Sequence, residues 1–154
     1  KMPKAKEIEL DLSEVLTNSV AVFAEYDQHD FSLTIEPKTE ALVWADKDLL
    51  LRVFNNLIKN ALQCVPVGST GKIKIILTEQ NDSYTVSVKD NGVGIKPSEK
   101  DKIFVPYFTT KSKGTGLGLA MSKQIIEGMK GKIWFESQLD VGTTFFITFP
   151  KLKS

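Results

Sequence analysis

The sequence predicts a single α/β domain in which helices alternate with short strands, and three observations support this prediction. Residues 46–65 place apolar side chains three and four positions apart, a spacing that only a helix gathers on one face. Residues 72–80 and 83–90 alternate apolar and polar side chains around Asn81-Asp82, which is typical of an antiparallel hairpin. A length of 154 residues with 42% hydrophobic content suits one core, so we expect residues 1–154 to form one domain.

The first third of the chain is expected to contribute a strand, a helix and a hairpin. Residues 8–10 form a short β-like run, after which Asp11 can cap a helix that ends near Ala24. Residues 31–35 and 41–45 are β-like and are joined by a polar turn that contains a proline. We therefore expect these two runs to pair with each other as a hairpin.

The last third of the chain carries a long irregular segment, a helix and two strands. Residues 91–115 contain glycines, prolines and lysines without sustained periodicity, and a loop of this length within a domain is usually functional or disordered. We expect this segment to act as a lid over a site. Helical spacing resumes at 117–127, and residues 132–137 and 143–149 predict two closing strands.

Composition and charge exclude several classes of protein. Twenty basic and nineteen acidic residues give a net charge of +1 without a block of like charges, which argues against a nucleic-acid or anionic-membrane partner. The apolar runs are far shorter than the roughly 20 residues that cross a bilayer. The single cysteine, Cys64, cannot form an internal disulfide, which suits a reducing compartment. We expect a cytoplasmic domain that makes no contact with a membrane.

Asp90 ends the strand predicted at residues 83–90 and falls on its apolar side. Tyr84, Val86 and Val88 alternate with polar residues, so a period of two aims the Asp90 carboxylate at the same face. A buried carboxylate needs hydrogen bonds from backbone, water or a ligand. The residues alone leave two interpretations open: a ligand contact, or a turn in which Asp90 bonds to its own neighbours.

Three amides form a strip along one edge of the long predicted helix. Asn56, Asn60 and Gln63 follow the spacing i, i+4, i+7. Their oxygens and amino groups suit a hydrated magnesium ion and phosphate oxygens, whereas the alternative is that they serve only solubility. For Asn55, on the other edge of the helix, we expect the solubility role.

Two glycine clusters flank the expected lid, one at residues 90–95 and one at 113–119. Glycine lets a ligand approach the backbone closely, and the second cluster leads into a helix N-terminus, where N–H groups favour phosphate. The second cluster superficially fits a dinucleotide-binding pattern, but its spacing is wrong and no parallel βαβ unit surrounds it. We therefore reject a Rossmann site.

Four segments, in this order, resemble the signature of histidine kinases within the wider family that includes gyrase-type and Hsp90-type ATPases. The asparagine box is matched by RVFNNLIKNAL, the first glycine box by DNGVGI, the phenylalanine box by IFVPYFTTK and the second glycine box by GTGLGLA. Residues 142–145 also resemble a short motif near the C-terminus of such domains. The resemblance covers about residues 8–150 and points to the nitrogen-regulation-like subgroup.

The resemblance implies the Bergerat fold, a two-layer α/β sandwich with a mixed, largely antiparallel sheet of about five strands backed by three helices. It also implies that ATP and Mg²⁺ bind between the helices under the lid. Asp90 would accept a hydrogen bond from the adenine amino group, and Asn60 would coordinate Mg²⁺. Asn56 would assist near the phosphates, so Asn56 and Asn60 are the implied catalytic residues.

The other residues that the resemblance assigns to ATP lie around the base, the lid and the phosphates, and they are Gln63, Gly92, Gly94, Ile95, Phe108, Lys111, Gly114, Thr115, Gly116, Leu117, Gly118, Leu119 and Thr144. Thr144 would lie near the adenine. Lys111 and Lys113 would offset phosphate charge, or else they are ordinary solvated loop lysines. Phe104 and Phe108 would anchor the lid, which we expect to run from Lys96 to Thr115.

Two positions depart from the pattern of the family. Gln63 stands where many relatives carry a lysine that reaches the phosphates, so charge neutralisation would shift to the lid lysines. Cys64 stands where many carry an aromatic residue beside the adenine. Because Cys64 falls on the apolar side of the helix, we interpret it as a small core residue.

The resemblance implies a kinase that donates the γ-phosphate of ATP to a histidine in two-component signal transduction. ATPase relatives carry a glutamate where this chain has Asn56, and an amide cannot accept a proton as a base. The isolated domain should therefore turn over little ATP. The alternatives are a gyrase-type ATPase and a degenerate nucleotide-binding module that only docks a partner.

His29 is the only histidine, and it lies in a polar stretch between a predicted helix and strand. We expect it to be a surface loop residue and not the phosphoacceptor. The helical phosphoacceptor domain and a sensor are expected to lie outside residues 1–154, in a homodimeric protein that can be anchored in the inner membrane and that acts on a response regulator.

Overall fold

The computed structural model describes residues 5–25, 29–108 and 118–152. Along the chain, its helices are separated by pairs of consecutive strands. The strands are β1 (Ile8–Asp11), β2 (Asp30–Ile35), β3 (Leu42–Ala45), β4 (Lys72–Glu79), β5 (Ser83–Lys89), β6 (Lys132–Gln138) and β7 (Gly142–Pro150). The α-helices are α1 (Leu12–Ala24), α2 (Lys47–Gln63) and α3 (Gly118–Gly128), and a 3-10 helix spans Pro97–Glu99.

Five strands form one sheet in the order β2-β4-β5-β7-β6, and β1 and β3 form a separate two-stranded sheet. Only β2 and β4 pair in parallel, and every other pair in the described ranges is antiparallel. Three helices pack on this mixed sheet, so the expected fold class is confirmed. The predicted pairing of β4 with β5 is also confirmed, and the two strands predicted near the end of the chain are present as β6 and β7, which pair with each other.

The hairpin expected between residues 31–35 and 41–45 is wrong. β2 pairs in parallel with β4, whereas β3 pairs with β1 through the register Leu10 to Val43. The turn between them therefore carries the chain from one sheet to the other. Val43 and Ala45 are fully buried in the core. We infer that this burial determines which strand pairs with β3, and the residues of the preceding turn do not predict it.

The core lies between the helices and one face of the five-stranded sheet. α2 contributes its entire apolar stripe, and Val53, Phe54 and Leu57 are at most 1% exposed. The facing strands alternate as a half-buried sheet does, with Tyr84, Val86 and Val88 buried on β5. Asp90 follows directly after β5 and is buried like these three residues.

Asp46 begins α2 and connects it to the N-terminal segment. Its carboxylate accepts hydrogen bonds from the backbone N–H groups of Leu49 at 3.1 Å and Lys6 at 2.7 Å. Burial raises the pKa of Asp46, but the N–H groups of Lys6, Leu49 and Asp48 and the charge of Lys6 outweigh burial, so the pKa is lowered overall. The ionised carboxylate is thus the form that the fold stabilises.

The three α-helices in the described ranges are not candidates for crossing a membrane, because none is both long and apolar enough.

Candidate functional site

Asp90 lies at the centre of the candidate site, at the point where β5 ends and the first glycine cluster begins. Its side chain is 2% exposed. The carboxylate oxygen Oδ1 accepts hydrogen bonds from the backbone N–H groups of Gly92 at 2.8 Å and Thr143 at 3.2 Å. The inward orientation predicted from the period of β5 is confirmed. The sequence left two interpretations of Asp90 open, a turn contact and a ligand contact. The hydrogen bond from Gly92 is the turn contact, and it does not prevent the carboxylate from also binding a ligand.

Gly92 and Gly94 bring the loop after Asp90 against its neighbours at distances that a side chain would prevent. A Cβ atom on Gly92 would lie 2.5 Å from the carbonyl oxygen of Cys64, at the end of α2. Gly94 has φ of +75° and its Cα faces the backbone of Gln138, where a Cβ atom would overlap the carbonyl oxygen. The glycine loop is therefore fixed between α2 and the β6–β7 turn.

Thr143, and not Thr144, is the threonine on the side of the sheet that carries Asp90. Thr143 is 3% exposed, and its backbone exchanges hydrogen bonds with Asp90 in both directions. Thr144 points to the opposite face of β7, together with Phe146, because side chains alternate along a strand. The structure thus places Thr143, and not Thr144, beside Asp90, and the expectation that Thr144 lies near an adenine stays a prediction that this orientation does not favour.

Ser137 is a site residue that sequence reasoning missed. Its hydroxyl oxygen accepts a hydrogen bond from the backbone N–H of Ile95 at 2.8 Å and lies 2.8 Å from Oγ1 of Thr143. It also donates to the carbonyl oxygen of Gly142 at 3.2 Å. The period-two pattern of β6 could have placed Ser137 on the inner face, but only the pairing with β7 puts it opposite Thr143.

The amide strip of α2 faces the beginning of α3. Nδ2 of Asn56 donates to the hydroxyl oxygen of Ser122 at 3.2 Å, and a side chain on Gly118 would overlap the Asn56 amide. Asn60 is half-buried one turn further along α2, on the same edge as Asn56. Gln63 is exposed at the end of the helix. Asn56 and Gly118 are thus brought together, whereas Gln63 lies at the open end of the strip.

Asn55 and His29 have more definite structural roles than the sequence indicated. Oδ1 of Asn55 accepts a hydrogen bond of 2.6 Å from the hydroxyl of Ser19, which is 1% exposed, so Asn55 joins α1 to α2 and is not a solubility residue. His29 is half-buried, and its Nδ1 accepts a 2.6 Å hydrogen bond from the backbone N–H of Gly71. The interpretation of His29 as a surface loop residue is therefore wrong in part, because its ring fixes the start of β2.

The described part of the expected lid, residues 96–108, is fixed to the sheet by aromatic side chains. The ring of Phe104 lies 6.0 Å from Phe135 and 6.3 Å from Phe145, and Phe108 also packs against the core. Nζ of Lys100 donates to the carbonyl oxygen of Ser137 at 2.8 Å. Phe104 and Phe108 thus pack as expected, whereas their role as anchors of a lid over ATP stays a prediction.

Several predicted site residues lie outside the described residues, and these are Lys111, Gly114, Thr115, Gly116 and Leu117, together with Lys113. Leu119 follows them in the first turn of α3, where it is half-buried and packs against the core. The described part of the second glycine cluster therefore begins at Gly118, beside Asn56.

The residues that are brought together fit a purine nucleotide with magnesium. Asp90 offers a buried, oriented acceptor, the glycine loop permits close approach, and amide oxygens of the kind that Asn60 carries suit Mg²⁺. No group of three or more His, Cys, Asp or Glu side chains that could hold a metal occurs among residues 5–25, 29–108 and 118–152. A magnesium ion here would need ligands from the nucleotide and water, which is the usual arrangement for Mg²⁺ bound with phosphates.

Comparison with known proteins places the chain among histidine kinases. The model of the family "Histidine kinase-, DNA gyrase B-, and HSP90-like ATPase" matches residues 45–153. Sporulation kinase A of Bacillus subtilis is 44% identical over 121 residues, which are 79% of this chain and 20% of that protein. The chain thus spans about a fifth of the length of this curated relative.

Two solved structures support the same placement. The catalytic domain of histidine kinase ThkA superposes with a TM-score of 0.84 at 35% identity, covering 95% of this chain and 98% of that one. ThkA in complex with the response regulator protein TrrA gives a TM-score of 0.77 at 32% identity, covering 96% and 42%. The chain belongs to the family of histidine kinase-, DNA gyrase B- and HSP90-like ATPases, and its matching region is a histidine kinase catalytic domain.

Proposed function

We propose that this domain binds Mg²⁺ and ATP and donates the γ-phosphate to a histidine on a separate dimerisation and phosphoacceptor domain. The observation that carries the proposal is the Asp90 carboxylate, which is buried and held by two backbone N–H groups beside the glycine loop. An oriented acceptor in such a site recognises a hydrogen-bond donor on a ligand, and the amino group of adenine is a donor of this kind.

The phosphates would extend from this base site toward the edge of α2 that faces α3. Asn60 lies on that edge, one turn from Asn56, and would supply an amide oxygen to Mg²⁺. The ion would neutralise charge on the phosphates when bound. Gly118 begins α3 directly beside this edge, so the backbone N–H groups of the helix start would contribute donors for phosphate oxygens.

The side chain of Asn56 favours a kinase over an ATPase. Its amide donates to Ser122, and it has no group that can take a proton from water at neutral pH. Phosphoryl transfer relies on positioning and charge neutralisation, and a histidine acceptor can act as its own nucleophile. A committed ATPase of the gyrase type is therefore the weaker candidate. A module that only docks a partner is also weaker, because it would leave the buried Asp90 without a role in binding a ligand.

The partners follow from the same proposal. The acceptor would be a helical domain of the same kinase, the intact protein would be a homodimer, and phosphate would pass on to a response regulator, as the complex of ThkA with TrrA suggests by analogy. Membership of the nitrogen-regulation-like subgroup, the single-domain boundaries 1–154 and a cytoplasmic location stay predictions.

The test is equilibrium binding of a non-hydrolysable ATP analogue, with and without Mg²⁺. We expect saturable binding that Mg²⁺ strengthens, and Asn60→Ala should remove most of the strengthening. Lys59→Ala is the matched control, because Lys59 is the exposed neighbour on the same helix. Absence of binding by the unmodified chain would contradict the proposal, as would ATP turnover at the level of a committed ATPase or phosphate on His29.

A further inference from the structure

The face of the five-stranded sheet that points away from the helices carries a pair of stacked aromatic rings. Trp134 on β6 and Phe146 on β7 are directly opposite each other in the register, with ring centroids 5.3 Å apart and an interplanar angle of 13°. Trp134 is 40% exposed. The side chains on the solvated face of a sheet are normally polar, so a stacked aromatic pair there indicates contact with another surface.

The apolar side chains continue from this pair along one cross-strand row. In the register, Phe146 is opposite Ser87 on β5, and Ser87 is opposite Ile76 on β4. Phe146 and Ile76 are both half-buried. Because the small side chain of Ser87 lies between two larger ones, the surface is lowest at this point and can receive a side chain from a partner. We call Ile76, Ser87, Phe146 and Trp134 the outer row.

Two lysines border the outer row and face each other across β4 and β5. Lys74 is directly opposite Lys89, and both are exposed. Like charges at opposed positions of a strand pair are destabilising, and neither lysine has an ion-pair partner in the part of the chain that the structure describes. Their other neighbours in the register are Ser32 and Thr144, which carry no charge. Two uncompensated positive charges therefore lie beside an exposed apolar row.

The other charged residues in the five strands leave this face positive. By strand alternation it carries four lysines and two carboxylates, and these are Lys72, Lys74, Lys89, Lys132, Asp30 and Glu136. Asp30 is opposite Lys72 in the register, so its charge compensates that lysine first. The charge that would complement the border of the outer row is therefore negative.

We propose that this face is a docking surface for an acidic amphipathic helix from outside this domain, whose apolar stripe covers the outer row and whose carboxylates reach Lys74 and Lys89. A helix is an element that covers open sheet faces in layered folds, and its carboxylates would relieve the repulsion between the two lysines. A second copy of the chain fits less well, because it would bring an equally positive face against these lysines.

The docking surface and the nucleotide site lie on opposite faces of the sheet. Asp90 and Thr143 are buried on the inner face, whereas the outer row is formed by the alternate side chains of the same strands. The inference is therefore independent of the proposed function, and either one can fail without the other.

The test measures the fluorescence anisotropy of a labelled helical peptide of about 18 residues, with leucines three and four positions apart and glutamates on both sides of the leucine stripe. We expect saturable binding by the unmodified chain. A peptide with lysine in place of each glutamate should not bind. Addition of Mg²⁺ and ADP should leave the affinity for the acidic peptide unchanged, because the nucleotide site lies on the other face.

Substitutions on the docking surface should weaken binding of the acidic peptide. The double variant Lys74→Gln and Lys89→Gln should raise the dissociation constant about tenfold, through the loss of two exposed ion pairs. Trp134→Ala should raise it about tenfold as well, because tryptophan contributes a large apolar contact at an interface.

Matched variants elsewhere should leave the dissociation constant unchanged. Lys38→Gln with Lys59→Gln removes two exposed lysines that lie in the turn after β2 and on α2. Trp44→Ala removes the other exposed tryptophan, which lies on β3 in the two-stranded sheet.

The inference would be overturned by absence of peptide binding, by equal losses in the surface variants and their controls, or by competition from Mg²⁺ and ADP. Equal affinity for a single-stranded oligonucleotide or for phosphatidylserine vesicles would show a merely basic surface and would overturn it as well. Sedimentation that revealed self-association of the unmodified chain, lost in Trp134→Ala, would assign the face to a second copy instead.

Discussion

Replacement of Asp90 by asparagine is the sharpest test of the site, because the change is confined to one oxygen atom. The amide oxygen of the new side chain can still accept from the N–H groups of Gly92 and Thr143, which the carboxylate now holds at 2.8 and 3.2 Å. The other carboxylate oxygen is replaced by an NH₂ donor. The fold is therefore expected to survive, while a donor comes to face the adenine amino group.

The expected magnitude follows from the burial of Asp90. At 2% exposure the carboxylate is shielded from water, so a hydrogen bond between it and a ligand contributes about 1.5–3 kcal/mol, the range for bonds to charged groups. This corresponds to a dissociation constant for ADP that is about tenfold to a hundredfold higher in Asp90→Asn. Calorimetric titration with Mg²⁺ and ADP measures it directly.

The control for this experiment is Asp82→Asn, which makes the same chemical change at an exposed position in the β4–β5 turn. Its affinity for ADP should match that of the unmodified chain. An Asp90→Asn variant with an unchanged melting temperature and an unchanged affinity would refute the assignment of Asp90 to the base. A variant that has lost its melting transition would instead show that the charge, and not only the acceptor geometry, stabilises the turn.

Three other predictions concern neighbouring features. Thr143→Val should weaken ADP binding severalfold whereas Thr144→Val should not, since only Thr143 shares the face of Asp90. If calorimetry gave the same loss of ADP affinity for both variants, the proposed role of this face in binding would be contradicted. Gly92→Ala should lower both the melting temperature and the ADP affinity, because the new Cβ atom would lie 2.5 Å from the Cys64 carbonyl oxygen. Gly128→Ala is the control and should be tolerated, because its Cβ atom would have no neighbour within 4 Å. Asp46→Ala should lower the free energy of unfolding by about 1–2 kcal/mol through loss of the α2 N-cap. Because the folded state lowers the pKa of Asp46, the ionised carboxylate stabilises the fold at neutral pH, and this stabilisation is lost as the pH falls through the folded pKa. In Asp46→Asn, the free energy of unfolding measured by denaturant titration should therefore depend less on pH in the acid range.

Local periodicity was sufficient to predict which side chains face inward wherever the period of a single helix or strand determines its buried face. The apolar stripe of α2 predicted a helix that is observed at Lys47–Gln63, and the alternation in β5 predicted the inward Asp90. These predictions succeed because a helix or strand has a fixed geometric period, so side chains on one face can be identified without knowing what packs against them.

The pairing of strands that are distant along the chain was not available from local pattern. The expected hairpin of β2 with β3 failed because β2 found its partner in β4, about forty residues further along the chain, in a parallel arrangement that no turn residue signals. The choice between Thr143 and Thr144 is different. Thr143 is in period with the buried Phe145 and Ile147, so the alternation along β7 could have identified it as the inward threonine.

The sequence by itself determined the class of fold, the helix that carries the asparagines, the inward carboxylate and the family resemblance, because each depends on residue type and spacing along the chain. The tertiary structure decided which side chains meet: Ser137 with Thr143 and Ile95, Asn56 with Ser122, and Asn55 with Ser19. Hydrogen bonds between distant residues depend on where whole elements settle when their apolar faces are buried together. That arrangement is a property of the packed molecule and not of any one segment.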